Sequence, residues 1–339
     1  MLGDRLSKRM KHLSRWARRR GIACFRLYDR DIPDHPIVID WYGGEDPDEG
    51  GDAVVWFHQR TRDETEQATR DYQASTCTTI RERLRLPPDR LFVKRRARQR
   101  DEGGGRAQYQ KLDSRRVLRV VPEHGARFEV NLSDYLDVGL FLDQRPNRLA
   151  VRDRAEGRRV LNLFAYTGSF SVQARLGGAS RTTTVDLSRT YLDWYHRNLG
   201  LNGLDLDEHH RAVQADCLDW LEQGPEPGEA YDLVVCDPPT FSNSKRMRSD
   251  SFAIERDHAH LLDRVARFVA PGGEVLFSTN ARGFDLPPEA VPSGFGCREI
   301  THRSVPEDFR NRTIHRCWRL AEGWTPRARP VPSERTGGT

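Results

Sequence analysis

Apolar positions follow two periods along this 339-residue chain, a helical one near the amino terminus and a strand-like one through much of the remainder. Leu6, Met10, Leu13 and Ala17 recur at spacings of 4, 3 and 4, while Arg5, Lys8, Arg9, Lys11, Arg15, Arg18, Arg19 and Arg20 fill the remaining surface. The pattern predicts an amphipathic basic helix ended by Gly21. Cys24 to Tyr28, Ile37 to Tyr42 and Ala53 to His58 read as strands, with the acidic, Gly-rich Gly43 to Asp52 as a surface insertion between the last two. Ala68, Tyr72, Ile80 and Leu84 mark a helix within Thr61 to Leu86, ahead of Pro87 and Pro88. Leu91 to Gln99 and Val117 to Val121 read as strands around a basic loop. Phe128 to Leu132 and Gly139 to Arg145 then lead into the next helix.

From about Asn147 to Leu320 strand and helix patterns alternate, the signature of a parallel sheet with right-handed crossovers. Val160, Leu161 and Leu163 form a buried strand that runs into the turn residues Thr167, Gly168 and Ser169 and then a helix. Thr182 to Asp186, Arg211 to Asp216 and Tyr231 to Phe241 supply three more strands, the last running into Asp-Pro-Pro. A helix near Ser251 to Phe268, the strand Gly272 to Asn280, and closing antiparallel strands at Ile300 and at Thr313 to Leu320 complete the sheet. The expected organisation is an α+β domain over 1–146, a larger α/β domain over 147–320, and a disordered Pro-, Arg- and Gly-rich tail over 321–339.

Composition narrows the class. A hydrophobic content of 37% with seven Trp is ample for packed cores. No run approaches the ~20 apolar residues of a membrane span, so a cytoplasmic protein is expected. Cys24, Cys77, Cys217, Cys236, Cys297 and Cys317 form no CxxC pair, which argues against a zinc ribbon or a disulfide framework, and no metal is expected. Charge is unevenly spread: residues 1–30 hold ten Lys or Arg against Asp4 and Asp29, and residues 81–119 hold 14 against five acids. Two basic stretches, interleaved with Trp16, Phe92 and Tyr109, point to a polyanion, with nucleic acid favoured.

The strand ends carry the candidate chemistry. The first turn has only Gly168, whereas a dinucleotide pyrophosphate calls for G-x-G-x-x-G and a P-loop for Gly-Lys-Ser/Thr. Asp186, 24 residues after Asn162, is placed to accept both ribose hydroxyls of a nucleoside. Asp216 suits an adenine amino group, and Asp237 opens Asp-Pro-Pro. Polar groups at four successive strand ends, without a phosphate cradle, suit an adenosine bearing a sulfonium amino acid: S-adenosyl-L-methionine.

The stretches Asn162 to Ser169, TTTVDLSRTYLDW (182–194), NLGLNGL (198–204), QADCLDWL (214–221) and DPPTFSNSK (237–245) resemble the RlmK-type 23S rRNA guanine-N7 methyltransferases, the C-terminal half of the fused enzyme RlmKL. The likeness continues upstream through GIACFRLYDRDIP (21–33), QYQKLDS (108–114) and NLSDYLDVGLFLDQR (131–145) and so covers nearly the whole chain. It implies a class I, Rossmann-like fold with a mostly parallel seven-stranded sheet behind a smaller RNA-binding domain. Asn162, Tyr166, Thr167 and Gly168 would then line the methionine end of the cofactor, Asp186 the ribose and Asp216 the adenine. Asp237, Pro238, Pro239 and Phe241 would orient the target base in 23S rRNA or a precursor ribosomal particle. Lys94, Arg95, Arg96, Lys111, Lys245 and Arg246 would contact RNA. The upstream half of the fused enzyme, with its guanine-N2 activity, has no counterpart here, so a single activity is expected.

Guanine N7 bears a lone pair and no proton, so its methylation needs positioning rather than a general base. The competing cytosine-C5 chemistry needs a Cys nucleophile. Related RlmI-type enzymes carry it in a Ser-Cys-Ser turn, whose match here is Ser278, Thr279, Asn280. Cys236 is expected to point away from Asp237 by strand alternation. His315 reads as structural, because no metal-spaced partner accompanies it. Gln144 stands where family members usually carry His. A reading from another class is an RNA-binding or assembly factor whose cofactor pocket is vestigial, and the missing glycines disfavour an oxidoreductase.

Overall fold

The computed structural model describes residues 1–46, 49–58, 60, 64–95, 114–242 and 251–324. Helix α1 (Leu2–Arg20) buries Leu2, Leu6, Leu13, Trp16 and Ala17 and is closed by Gly21 at φ 63°. The left-handed turn lets the Gly21 amide reach back to the Ala17 and Arg18 carbonyls, at no Cβ penalty. Strands β1 (Cys24–Asp29), β2 (Ile37–Gly43) and β3 (Gly51–Phe57) pair antiparallel, and α2 (Glu66–Leu84) crosses over to β4 (Leu91–Arg95), parallel to β3.

Alternate residues of these strands serve two cores. Leu27, Ile37, Ile39 and Val55 meet the apolar faces of α1 and α2. Val38, Val54, Trp56 and Phe92 face the other way. They share a core with the hairpin β5 (Leu118–Glu123) and β6 (Ala126–Asn131), and with Val172, Tyr195 and Leu199 of the C-terminal half. Trp16 and Phe92 are therefore core residues rather than stacking platforms within the basic stretches, and Tyr109 lies outside the described residues.

The second half runs α3 (Arg145–Arg152), β7 (Arg159–Leu163), α4 (Ser169–Leu176), β8 (Arg181–Asp186), α5 (Arg189–Leu201), β9 (His210–Gln214), α6 (Cys217–Glu222) and β10 (Tyr231–Cys236). After the two-residue strands β11 (Phe241–Ser242) and β12 (Phe252–Ala253) come α7 (Ile254–Ala266), β13 (Val269–Thr279), β14 (Phe295–Glu299), α8 (Thr301–Ser304) and β15 (Arg316–Glu322). The seven-stranded sheet has the order β14-β15-β13-β10-β7-β8-β9, with β15 antiparallel to both its neighbours. From β7 the chain proceeds outward to β8 and β9 and then returns to β10 on the other side. Crossovers on opposite faces diverge at that point and open a crevice above the carboxyl ends of β7 and β10.

Several boundaries differ from the sequence reading. The strand β9 ends at Gln214, because Asp216 caps the following helix. Ile300 precedes α8, and the closing strand beside it is Phe295–Glu299. Ala321 and Glu322 remain paired in β15, so the strand passes the expected start of the tail. Among the described residues no helix is long and apolar enough to cross a membrane.

Candidate functional site

The turn after β7 is wound against the usual hand. Phe164 and Tyr166 both sit at φ 53°, and Gly168 at φ 70°. Each left-handed non-glycine residue costs about 1 kcal/mol or more, so the surroundings must hold them. The Phe164 amide donates to Cys217 Sγ (3.2 Å), the Tyr166 amide to Asp186 Oδ2 (2.8 Å), and Asn198 Nδ2 to the Thr167 carbonyl (2.9 Å). Glycine is obligatory at 168, where a Cβ would lie 2.0 Å from the Tyr195 ring. Helix α4 then starts with no side-chain cap and no acid in its first turn. Its N-terminus therefore carries an uncompensated partial positive charge.

Asp186 stands opposite this turn. It is 9% exposed, and each oxygen accepts one backbone amide, from Tyr166 and from Ser188, both at 2.8 Å. Burial pushes its pKa up to about 6, with those two amides pulling it back. A buried carboxyl held only by amides gains from further donors, and the two hydroxyls of a ribose are such donors. Asp216 behaves differently: it is the N-cap of α6, and its Oδ1 accepts the Leu218 amide at 2.8 Å.

Two expected ligand residues turn inward. Asn162 shares strand parity with Val160 and faces α4, where its amide donates to Ser171 Oγ (2.9 Å). The Thr167 hydroxyl donates to the Gly139 carbonyl (2.7 Å), which ties the 131–140 loop to the turn. Both side chains are at most 2% exposed. They build the turn, and the ring of Tyr166 packs on Phe141, Tyr191 and Trp194.

Across the crevice, Asp237 follows β10. Its Oδ1 accepts the Ser278 hydroxyl (2.6 Å) and its Oδ2 the Gln144 amide (3.1 Å). Gln144 is itself fixed by Asn147 Nδ2 on its Oε1 (2.6 Å). Burial raises the Asp237 pKa, while the Ser278 hydroxyl and the nearby His315 oppose the rise. Neither Gln144 nor Ser278 was identified from sequence as a support for Asp237, since these contacts span 93 and 41 residues. The Asn280 side chain accepts the Thr240 hydroxyl, so the 278–280 turn braces the Asp-Pro-Pro segment at two points. Pro238 is buried, Pro239 half-buried, and Phe241 45% exposed.

Cys236 is fully buried in the core, as strand alternation predicts. His315 is buried between Asp143 (2.9 Å) and Ser304 (2.8 Å), which matches its structural reading. The RNA candidates fare unevenly. Lys94 is 3% exposed, and its ammonium donates to the Tyr135 and Leu136 carbonyls, so it braces that loop and is removed from the surface contacts. Arg95 ends β4, whereas Arg96, Lys111, Lys245 and Arg246 lie outside the described residues. Among the described residues no group of His, Cys, Asp or Glu is placed to hold a metal ion.

Known proteins share this architecture. The fold resembles that of SMU.776, a candidate methyltransferase complexed with SAH, at TM-score 0.72 and 20% identity over 94% of this chain and 80% of that one. A candidate SAM-dependent methyltransferase from Streptococcus mutans matches at TM-score 0.71, with the same identity and coverage. A SAM-dependent methyltransferase from Agrobacterium tumefaciens matches at 0.57 and 16% identity, over 85% and 88% of the two chains. Residues 102–292, more than half of the chain, match the family model for S-adenosylmethionine-dependent methyltransferases. With a strained turn, an uncapped helix and a buried acid around one crevice of a class I α/β sheet, this chain belongs to the S-adenosylmethionine-dependent methyltransferase family, and S-adenosylmethionine is its cofactor.

Proposed function

We propose that this methyltransferase acts on N7 of a guanosine in 23S rRNA, free or within a precursor particle. The observation that carries the reading is the thiol-free turn Ser278-Thr279-Asn280 braced against an Asp-Pro-Pro acid, in a chain whose long motifs resemble the RlmK type. The cofactor supplies an electrophilic methyl group on a sulfonium sulfur. Helix α4's N-terminus would receive the methionyl carboxylate, Asp186 the ribose hydroxyls, and the second oxygen of Asp216 the adenine amine. Asp237, with its rotamer held by Ser278 and Gln144, would accept from the guanine N1–H or exocyclic amine and so aim the base. Pro238 and Pro239 stiffen the backbone there, and Phe241 offers a stacking face. Pyrimidine-C5 chemistry finds no support, because Cys236 is sealed in the core and burial raises its thiol pKa.

RNA as the substrate is supported by the exposed face of α1, where Lys8, Lys11, Arg15, Arg18, Arg19 and Arg20 all reach solvent. A cavity of about 270 Å³ beside Trp194 adds no net charge to this face, because Arg116 and Arg197 are matched there by Asp134 and Glu129. A second reading follows from Asp237 itself: a held carboxylate also suits an exocyclic amine, whose protons it accepts. Methylation of rRNA with isotopically labelled cofactor, followed by nucleoside mass mapping, separates them. Label in 7-methylguanosine supports the proposal. Label in an N-methylated exocyclic amine supports the second reading, and label at pyrimidine carbon or no transfer refutes both.

A further inference from the structure

Among the described residues, the exposed large apolar side chains include two aromatics, Phe141 at 38% and Phe241 at 45%. Phe241 lies four residues after Asp237, and Phe141 three residues before Gln144, the group that donates to Asp237. Each ring is thus borne on the short segment that carries one partner of the Gln144–Asp237 hydrogen bond. Phe141 is also bound to the cofactor side, its ring centroid 5.1 Å from that of Tyr166 in the strained turn.

The backbone beneath Phe141 is rigid. Its carbonyl accepts Arg148 Nη1 at 2.8 Å and the Gln144 amide at 3.3 Å. Arg148 is 1% exposed and doubly bonded to Glu123 at 2.7 Å. A large apolar ring left in water on a fixed turn loses little conformational freedom when a flat partner covers it. We infer that Phe141 is a base-stacking residue of the substrate site, supplying the target purine with an aromatic face on the cofactor side that complements Phe241. The inference rests on the proposed RNA substrate, but not on which ring atom receives the methyl group.

The test uses the full chain with rRNA, free and in precursor particles. Phe141→Leu keeps an apolar side chain but loses the π face, and Phe141→Trp restores it. Base stacking on an aromatic side chain corresponds to about 5- to 150-fold in binding, so Phe141→Leu is expected to lower kcat/KM for RNA by that factor. Its affinity for S-adenosylmethionine, measured by calorimetry, should stay within twofold, and Phe141→Trp should recover most of the loss. Unchanged RNA kinetics in Phe141→Leu, an equal loss of cofactor affinity, or a Trp variant as slow as the Leu variant would each overturn the inference. Wild-type label at an atom other than guanine N7 refutes the N7 assignment alone, whereas no wild-type transfer to any RNA removes both.

Discussion

Burial lifts the Asp186 carboxyl to a pKa of about 6, well above that of an aspartate in the unfolded chain, although the Ser188 and Tyr166 amides work against the shift. Between roughly pH 4 and 6 the folded chain thus holds a proton that the unfolded chain has released. The cofactor-free protein gains from this at low pH and loses the gain, up to about 3 kcal/mol, as pH rises through 6. Cofactor binding should run the opposite way, since ribose hydroxyls need the ionised form as acceptor. Affinity for S-adenosylmethionine is expected to fall about tenfold from pH 7 to pH 5 in the wild type and to be flat in Asp186→Asn. Calorimetric titration across that range checks it, and a pH-independent wild type would exclude Asp186 from the ribose. The position of Asp186 at the end of β8, facing the turn, could be read from sequence, because an acid at a strand's carboxyl end has few other places to point. The turn of the Asn162 side chain toward Ser171 was not foreseen, although its parity with Val160 carried that orientation.

At the scale of elements, two glycines separate local from tertiary demands. Gly21 ends α1 at φ 63° with open space where a Cβ would stand. Gly168 starts α4 at a similar φ, but a Cβ there would enter the buried ring of Tyr195. Gly21→Ala should therefore cost about 1 kcal/mol, from the backbone alone. Gly168→Ala should cost about 3 kcal/mol or more, with cofactor binding lost as the turn shifts. Urea unfolding of the two variants tests the difference, and equal losses would contradict the packing argument. The stop signal at Gly21 could be read from its neighbours in sequence. That Phe164 and Tyr166 also adopt the left-handed region could not, because the groups that stabilise them come from β8, α6 and other distant elements.

Across the whole molecule, a buried ionic network ties the first half to the second. Asp308 accepts the Arg26 amide (2.8 Å) and Arg145 Nη1 (3.1 Å), and Arg145 Nη2 donates to the Cys24 carbonyl (2.6 Å). Removing Asp308 leaves the buried Arg145 guanidinium with only the longer contact to Glu123 (3.7 Å), which Arg148 already shares. Asp308→Ala is expected to destabilise the protein by about 3–5 kcal/mol. Because one apolar core spans both halves, thermal unfolding should remain a single transition. Two separated transitions in wild-type calorimetry would show that the halves fold independently.

The order of strands and helices, the basic face of α1 and the acids at the sheet's carboxyl edge were determined by sequence alone. Their causes act over a few residues: side-chain period, turn sterics and capping. The grip of Gln144 and Ser278 on Asp237, the inward turn of Asn162 and Thr167, and the burial of Lys94, Trp16 and Phe92 were decided by tertiary structure. Such contacts depend on which strands become neighbours and in what register. That is set by how all the apolar faces pack at once, so no local stretch of the chain encodes it by itself.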